Sequence, residues 1–300
     1  MCGIVALFLK NKELESRIGE LFAPMLICMT NRGPDSAGLA LYGSEVRGDQ
    51  IKVTIQHPDD DYNWSLVQSS LKDKLGVDSE FILNSNHAIF TMAAKETEVL
   101  SWLDAHHPDL TLMSVGQSIE ILKEVGTPEE IVARFNIKKL TGTHIIGHTR
   151  MATESAVTTA GSHPFTTGED ICLVHNGSLS NHNRLRAWLT ANAGIKFQTE
   201  NDSEVAAAYL MWKLNEGATI KEALESALDD LDGFFTFAVG TKDGFAAVRD
   251  PIACKPAVLA ETDDYVAMAS EYQALSDLPG ADTAEIWEPE PGVVYSWSRN

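Results

Sequence analysis

With 300 residues, 44% of them hydrophobic and 22% charged, the chain can bury a sizeable core, and large sandwich and barrel folds reach this length as one unit. An excess of 43 acidic over 23 basic residues sets the formal net charge at −20. That argues against a nucleic-acid or anionic-membrane surface, since both need clustered Lys and Arg, and its first reading is solubility.

Four widely spaced cysteines, Cys2, Cys28, Cys172 and Cys254, include no C-x-x-C pair and make no disulfide scaffold. The N-terminus lacks the basic start and small-residue cleavage site of a secretory signal, so a reducing cytosol is the expected compartment. In chain order, the apolar run 4–9 is too short to span a bilayer and reads, with Gly3, as a fully buried strand. Leu14, Ile18, Leu21, Phe22, Met25, Leu26 and Met29 then recur at three- and four-residue spacings, which predicts an amphipathic helix. Gly33 and Pro34 break that pattern, and 37–42 resumes as a strand. A long middle segment, 44–142, holds strands at 86–92 and 110–115 among helical stretches. One helix has a full start signal: Thr127 as N-cap, Pro128 at the first position and Glu130 three residues after the cap. Nothing in this segment has catalytic spacing, so it reads as a structural or partner-binding insert.

The second half predicts strands at 145–149 and 171–175, helices at 183–189, 203–214 and 218–231, and short strands at 234–239, 245–248, 257–259 and 265–269. These blocks point to two packed sheets covered by helices. With no repeat or low-complexity linker, residues 1–300 read as one compact domain.

Cysteine at position two carries a chemical consequence. Trimming Met1 leaves Cys2 with a free α-amine of reference pKa about 7.7–8.0, which can take the thiol proton in place of a histidine. Gly3 lets the backbone pass close to a substrate. Alone, this position is a weak signal and is more often an incidental small residue. The ordered motifs around it say more: Met1-Cys2-Gly3-Ile4-Val5-Ala6, Asn31-Arg32-Gly33-Pro34-Asp35-Ser36, Gly147-His148-Thr149-Arg150, His163-Pro164-Phe165, His175-Asn176-Gly177-Ser178 and Asn201-Asp202-Ser203-Glu204. In this order they resemble the class II glutamine amidotransferases, an N-terminal nucleophile family. The resemblance implies an α+β fold, a four-layer αββα sandwich of two mostly antiparallel sheets of the N-terminal nucleophile hydrolase type.

Glutamine has an α-carboxylate and an α-ammonium, so its hydrolysis needs a receptor for each beside a nucleophile and an oxyanion site. The resemblance implies Cys2 as nucleophile, with the Asn176 side-chain amide and the Gly177 N–H as the oxyanion hole. It implies Arg150 as the carboxylate clamp, with Thr153 as a further contact there, and Asp202 as the α-ammonium receptor. Arg32 and Asp35 are expected to order the loop around the nucleophile. Each has a plainer alternative: Arg150 a salt-bridged arginine at a strand end, Asp202 a cap for the helix near Ser203, Asn176-Gly177 a type I′ turn. His144, His148, His163 and His175 lack ligands at zinc spacing, so no metal is expected and neutral, backbone-bonded histidines are.

The match has departures. Met151 and Glu154 stand where the family often has Trp and His, and Ala253 and Lys255 where a family segment has Gly and Arg. No segment is recognised that would house an acceptor domain, which implies an acceptor site on another polypeptide. Stand-alone chains with such a long middle segment resemble the small subunits of glutamate-synthase-related assemblies, particularly the glutaminase-type component of N-methylglutamate synthase (methylamine–glutamate N-methyltransferase). That similarity implies glutamine or a related amide as substrate and synthase-type partner subunits. No cofactor is expected in this chain, with flavin and iron–sulfur groups on the partners and no nucleic-acid or membrane partner. The alternatives are the glutaminase component of another amidotransferase, such as an amidophosphoribosyltransferase-like system, and a non-catalytic glutamine-sensing protein.

Overall fold

A computed structural model describes residues 2–152, 156–166 and 168–299. Strand β1 (Gly3–Leu9) leads through helix α1 (Ile18–Cys28) to β2 (Ser36–Tyr42). The middle segment supplies β3 (Gln50–Gln56), α2 (Trp64–Leu75), β4 (Ser79–Asn84), β5 (His87–Ala93), α3 (Glu96–His106), β6 (Thr111–Gly116), β7 (Ile119–Val125) and α4 (Pro128–Arg134). Then come β8 (His144–Arg150), β9 (Phe165–Thr166), β10 (Cys172–Leu179) and helices α5 (His182–Ala193), α6 (Asp202–Asn215) and α7 (Ile220–Asp230). Strands β11 (Gly233–Thr241), β12 (Gly244–Arg249), β13 (Val258–Glu261), β14 (Tyr265–Ala269), β15 (Glu285–Trp287) and β16 (Val294–Ser298) follow.

Alternation along the strands builds the layers. In β1, Ile4, Ala6 and Phe8 enter one core, while Val5, Leu7 and Leu9 enter another. The strand therefore reads as uninterrupted apolar sequence because both its faces are covered. The first core lies between two sheets, where Cys172 and Val174 of β10 and Ala238 of β11 meet β1 and β2. The second lies under α1 and α4. A third core, on the far side of the second sheet, packs Leu173, Phe235, Phe237 and Val239 against α5, α6 and α7. The result is helices, a seven-stranded sheet (β15-β13-β14-β1-β8-β2-β7), a five-stranded sheet (β16-β12-β11-β10-β9) and helices again, an α+β sandwich whose strand pairs are antiparallel.

The 44–142 segment divides. Strands β4-β5-β3-β6 form their own sheet, whose apolar face packs under α2 and α3 around Trp64, Phe90 and Trp102. Strand β7 instead closes the edge of the seven-stranded sheet by pairing with β2, because Ile119 and Ile121 face the inter-sheet core and Leu122 the helical one. Thr127 and Glu130 make the reciprocal capping box of α4. Buried Asp170 ties the two parts together, accepting from Gln117 N (2.7 Å), Ser118 N (2.8 Å), Ser118 Oγ (3.0 Å) and Ile119 N (2.9 Å).

Candidate active site

Pairing register places the sequence motifs at one end of the sandwich. Gly3 lies opposite Thr149 in β8, and Ser36 at the start of β2 lies opposite Arg150. A Cβ on Gly3 would come within 2.9 Å of both Met29 Cβ and Thr149 Oγ1, so the start of β1 is closely packed. Ser270, just past β14, fixes it further: Ile4 N donates to Ser270 Oγ and Ser270 N to Ile4 O, each at 2.9 Å.

Cys2 is partly exposed at this end. Its carbonyl accepts from Asn176 Nδ2 (3.0 Å) in the other sheet and from Arg32 Nε (3.1 Å). Arg32 Nη1 also meets Glu271 Oε1 at 2.7 Å, which brings beside Cys2 a residue to which sequence reasoning gave no site role. The Cys2 Sγ lies 3.9 Å from the Met151 carbonyl. Asp35 straps the neighbouring turn, donating its N–H to Arg150 O (3.1 Å) and accepting from Ala152 N (2.7 Å).

Arg150 is buried, and its Nη1 donates to Ala156 O at 3.3 Å. Asn176 and Gly177 lie within β10, paired with Thr236 and Phe235 of β11, rather than in a turn. A Cβ at position 177 would sit 2.0 Å from Phe234 O and 2.6 Å from His175 Nε2, so no side chain fits there. Asp202 is the first residue of α6; the cap is Asn201, whose side chain accepts from Ser203 N at 2.9 Å. Asp202 Oδ2 accepts from Leu179 N (2.9 Å), joining the helix start to the end of β10, and the positive end of the helix favours its charge. Thr153 and Glu154 lie outside the described residues.

The histidines at this site are buried. His148 Nε2 bonds the His175 carbonyl at 3.0 Å, and its ring packs on His163 with centroids 4.0 Å apart. His175 Nδ1 meets Ser203 Oγ at 2.8 Å. Burial pulls His148 down to about 3 and His163 well below its usual value. It pulls His175 to about 4, against the opposing charge of Asp202. His144, stacked on Tyr42 and bonded to Thr241 O (2.8 Å), sits at the far end of β8. Among the described residues no group of three or more His, Cys, Asp or Glu is placed to hold a metal, and no helix is long and apolar enough to cross a membrane.

Two antiparallel sheets between helical layers, with Cys2 just ahead of the central strand, make the αββα sandwich of the N-terminal nucleophile hydrolase type. The fold agrees with that of glutamine phosphoribosylpyrophosphate amidotransferase from B. subtilis at a TM-score of 0.63, with 19% identity over 99% of this chain and 47% of that one. The chain thus spans about half the length of that protein. A family model for the glutamine amidotransferase domain matches residues 148–277. The sequence is 57% identical to the glutamine amidotransferase-like protein GlxB of Rhizobium meliloti, covering 100% of this chain and 99% of that one. It is 33% identical to a putative glutamine amidotransferase of Methanothermobacter thermautotrophicus over 98% of both. The chain belongs to the glutamine amidotransferase family.

Proposed function

We propose that this protein hydrolyses the side-chain amide of glutamine through Cys2 and passes the released ammonia, or an amine from an N-substituted glutamine, to a partner protein. The observation that carries the reading is the meeting of Asn176 and Arg32 on the Cys2 carbonyl, at the same end of the sheets as Arg150 and Asp202. Once Met1 is removed, the Cys2 α-amine takes the thiol proton and the thiolate attacks the amide carbon. Asn176 Nδ2 carries a second N–H beside the one bonded to Cys2 O, and with the Gly177 N–H it stabilises the oxyanion. The C–N bond breaks as the leaving nitrogen takes the proton from the α-ammonium. Water then cleaves the γ-glutamyl thioester to glutamate and regenerates the thiol. Arg150, with Thr153, receives the substrate carboxylate, and Asp202 receives its ammonium.

The partners in this reading are synthase-type chains carrying flavin and iron–sulfur groups, as in an N-methylglutamate synthase or glutamate-synthase-like complex. What supports it is the resemblance of the motifs and the full-length match to amidotransferase-like chains. A second reading, the glutaminase part of an amidophosphoribosyltransferase-like system, is favoured by 31% identity over 173 residues to the amidophosphoribosyltransferase of Synechocystis, confined to 34% of that protein. Co-purification separates the two: flavin absorbance in a captured complex supports the first, and a flavin-free phosphoribosyl-transferring partner the second. Intact mass after treatment with a glutamine-like diazoketone tests the chemistry itself. Loss of Met1 plus one adduct on Cys2 is expected; a folded, partnered protein that takes no adduct is a glutamine sensor instead.

A further inference from the structure

We infer that Lys123 is a positioning residue for glutamine binding, fixing the loop at 156–164 that backs Arg150 and the start of α6. The inference rests on reading the site as a glutamine pocket. Lys123 lies on β7, more than a hundred residues from Cys2 in sequence, and is buried. Its Nζ donates to three carbonyls of one loop, Ala160 O (3.2 Å), Ser162 O (2.7 Å) and Pro164 O (3.1 Å), and sits 4.8 Å from the Phe165 ring centroid. An ammonium has three N–H groups, so one side chain serves all three acceptors. The adjacent Glu124 accepts from Thr159 Oγ1 in the same loop and, with its other oxygen, from Asn86 Nδ2 (2.8 Å) in the middle segment.

The opposite side of the loop touches the site. Ala156 O accepts from Arg150 Nη1, and Gly161 O accepts from Asn201 Nδ2 at 3.3 Å, next to Asp202. The His163 ring packs at a tilt against His148, whose Nε2 bonds the carbonyl just before Asn176. Gly38 makes the close approach possible, since a Cβ there would fall 2.3 Å from His163 O and 2.4 Å from Lys123 Cβ. Burial pulls the Lys123 ammonium down to about 7, a cost that an apolar residue packed in its place would not carry. The carbonyls collected here set the height of the loop, and with it the groups against which Arg150 and Asn201 rest.

Lys123→Met keeps length and shape while removing all three donors. In a Cys2→Ala background, which prevents turnover, calorimetry with glutamine should show at least tenfold weaker binding for Lys123→Met than for the parent. With Cys2 intact, its alkylation by iodoacetamide, followed at the Cys2 peptide, should stay within twofold, because that reagent does not use the carboxylate clamp. Glutamine binding within twofold of the parent overturns the inference. So does a parallel fall in alkylation, which would mean the change reaches the nucleophile directly. A Cys2→Ala parent that binds no glutamine brings down the glutamine reading itself, and this inference with it. Should Lys123→Met not fold, Thr159→Val cuts the Glu124 tie to the same loop and is judged by the same two measurements.

Discussion

Replacing Asn176 by Ala separates the roles assigned to its side chain. In the resting site the substitution removes one neutral hydrogen bond, Nδ2 to Cys2 O at 3.0 Å, worth about 1 kcal/mol. Arg32 still holds that carbonyl at 3.1 Å, so the fold should survive with Tm lowered by roughly 2–4 °C. In the transition state the loss is larger, because an oxyanion donor acts where charge develops; about 3–4 kcal/mol corresponds to a fall in kcat of roughly 10²–10³. KM for glutamine should change little, since the ground-state amide makes no comparable demand. Steady-state glutamate release gives both constants. A drop in kcat below about tenfold, or a loss carried entirely by KM, would refute the assignment of Asn176 to the oxyanion.

Cys2→Ala should abolish glutamate release while circular dichroism stays native; residual turnover at the parental rate would remove the nucleophile from the mechanism. Asp170→Ala should cost about 3–5 kcal/mol, read by urea denaturation, because it strips three backbone N–H groups and Ser118 Oγ of their shared acceptor; a change under about 1 kcal/mol would contradict it. Burial holds His87, His144 and His148 down to about 3. The unfolded chain therefore binds these protons first, and stability is highest above pH 6.5 and falls as pH drops from 6.5 toward 3. The slope is up to about 1.4 kcal/mol per unit for each group. A denaturation midpoint unchanged between pH 7 and 5 would show that these rings are not buried and neutral.

Much of the sandwich was legible because its strands are apolar on both faces: β1 and β14 have no polar residue to confuse the pattern. β3 and β7 were not. In β3, Lys52, Thr54 and Gln56 are buried on the polar face of the small sheet, Lys52 against Glu120 of β7 at 2.6 Å, so charge and burial coincide where composition says surface. Lys123 hides for the same reason. The candidate site residues stand in separate motifs, and only the register of β1 with β8, and the approach of β10 from the other sheet, brings Cys2 and Asn176 together. Asn201 and Asp202 show the limit of local rules. Both are good capping residues, and the choice falls on Asn201 because Asp202 is engaged by Leu179 N.

The stitching of the first strand has a practical side. With Ile4 laced to Ser270 and the Cys2 carbonyl held twice, the strand is seated, among the described residues, by contacts of Cys2 and the residues after it. Under the proposed mechanism, an affinity handle fused at the front leaves these contacts in place but silences the chemistry, its amine tied up in a peptide bond. Recombinant material intended for enzymology should carry its handle elsewhere, for instance at the exposed turn around Gly76, where a left-handed cap ends α2 with no neighbour close by.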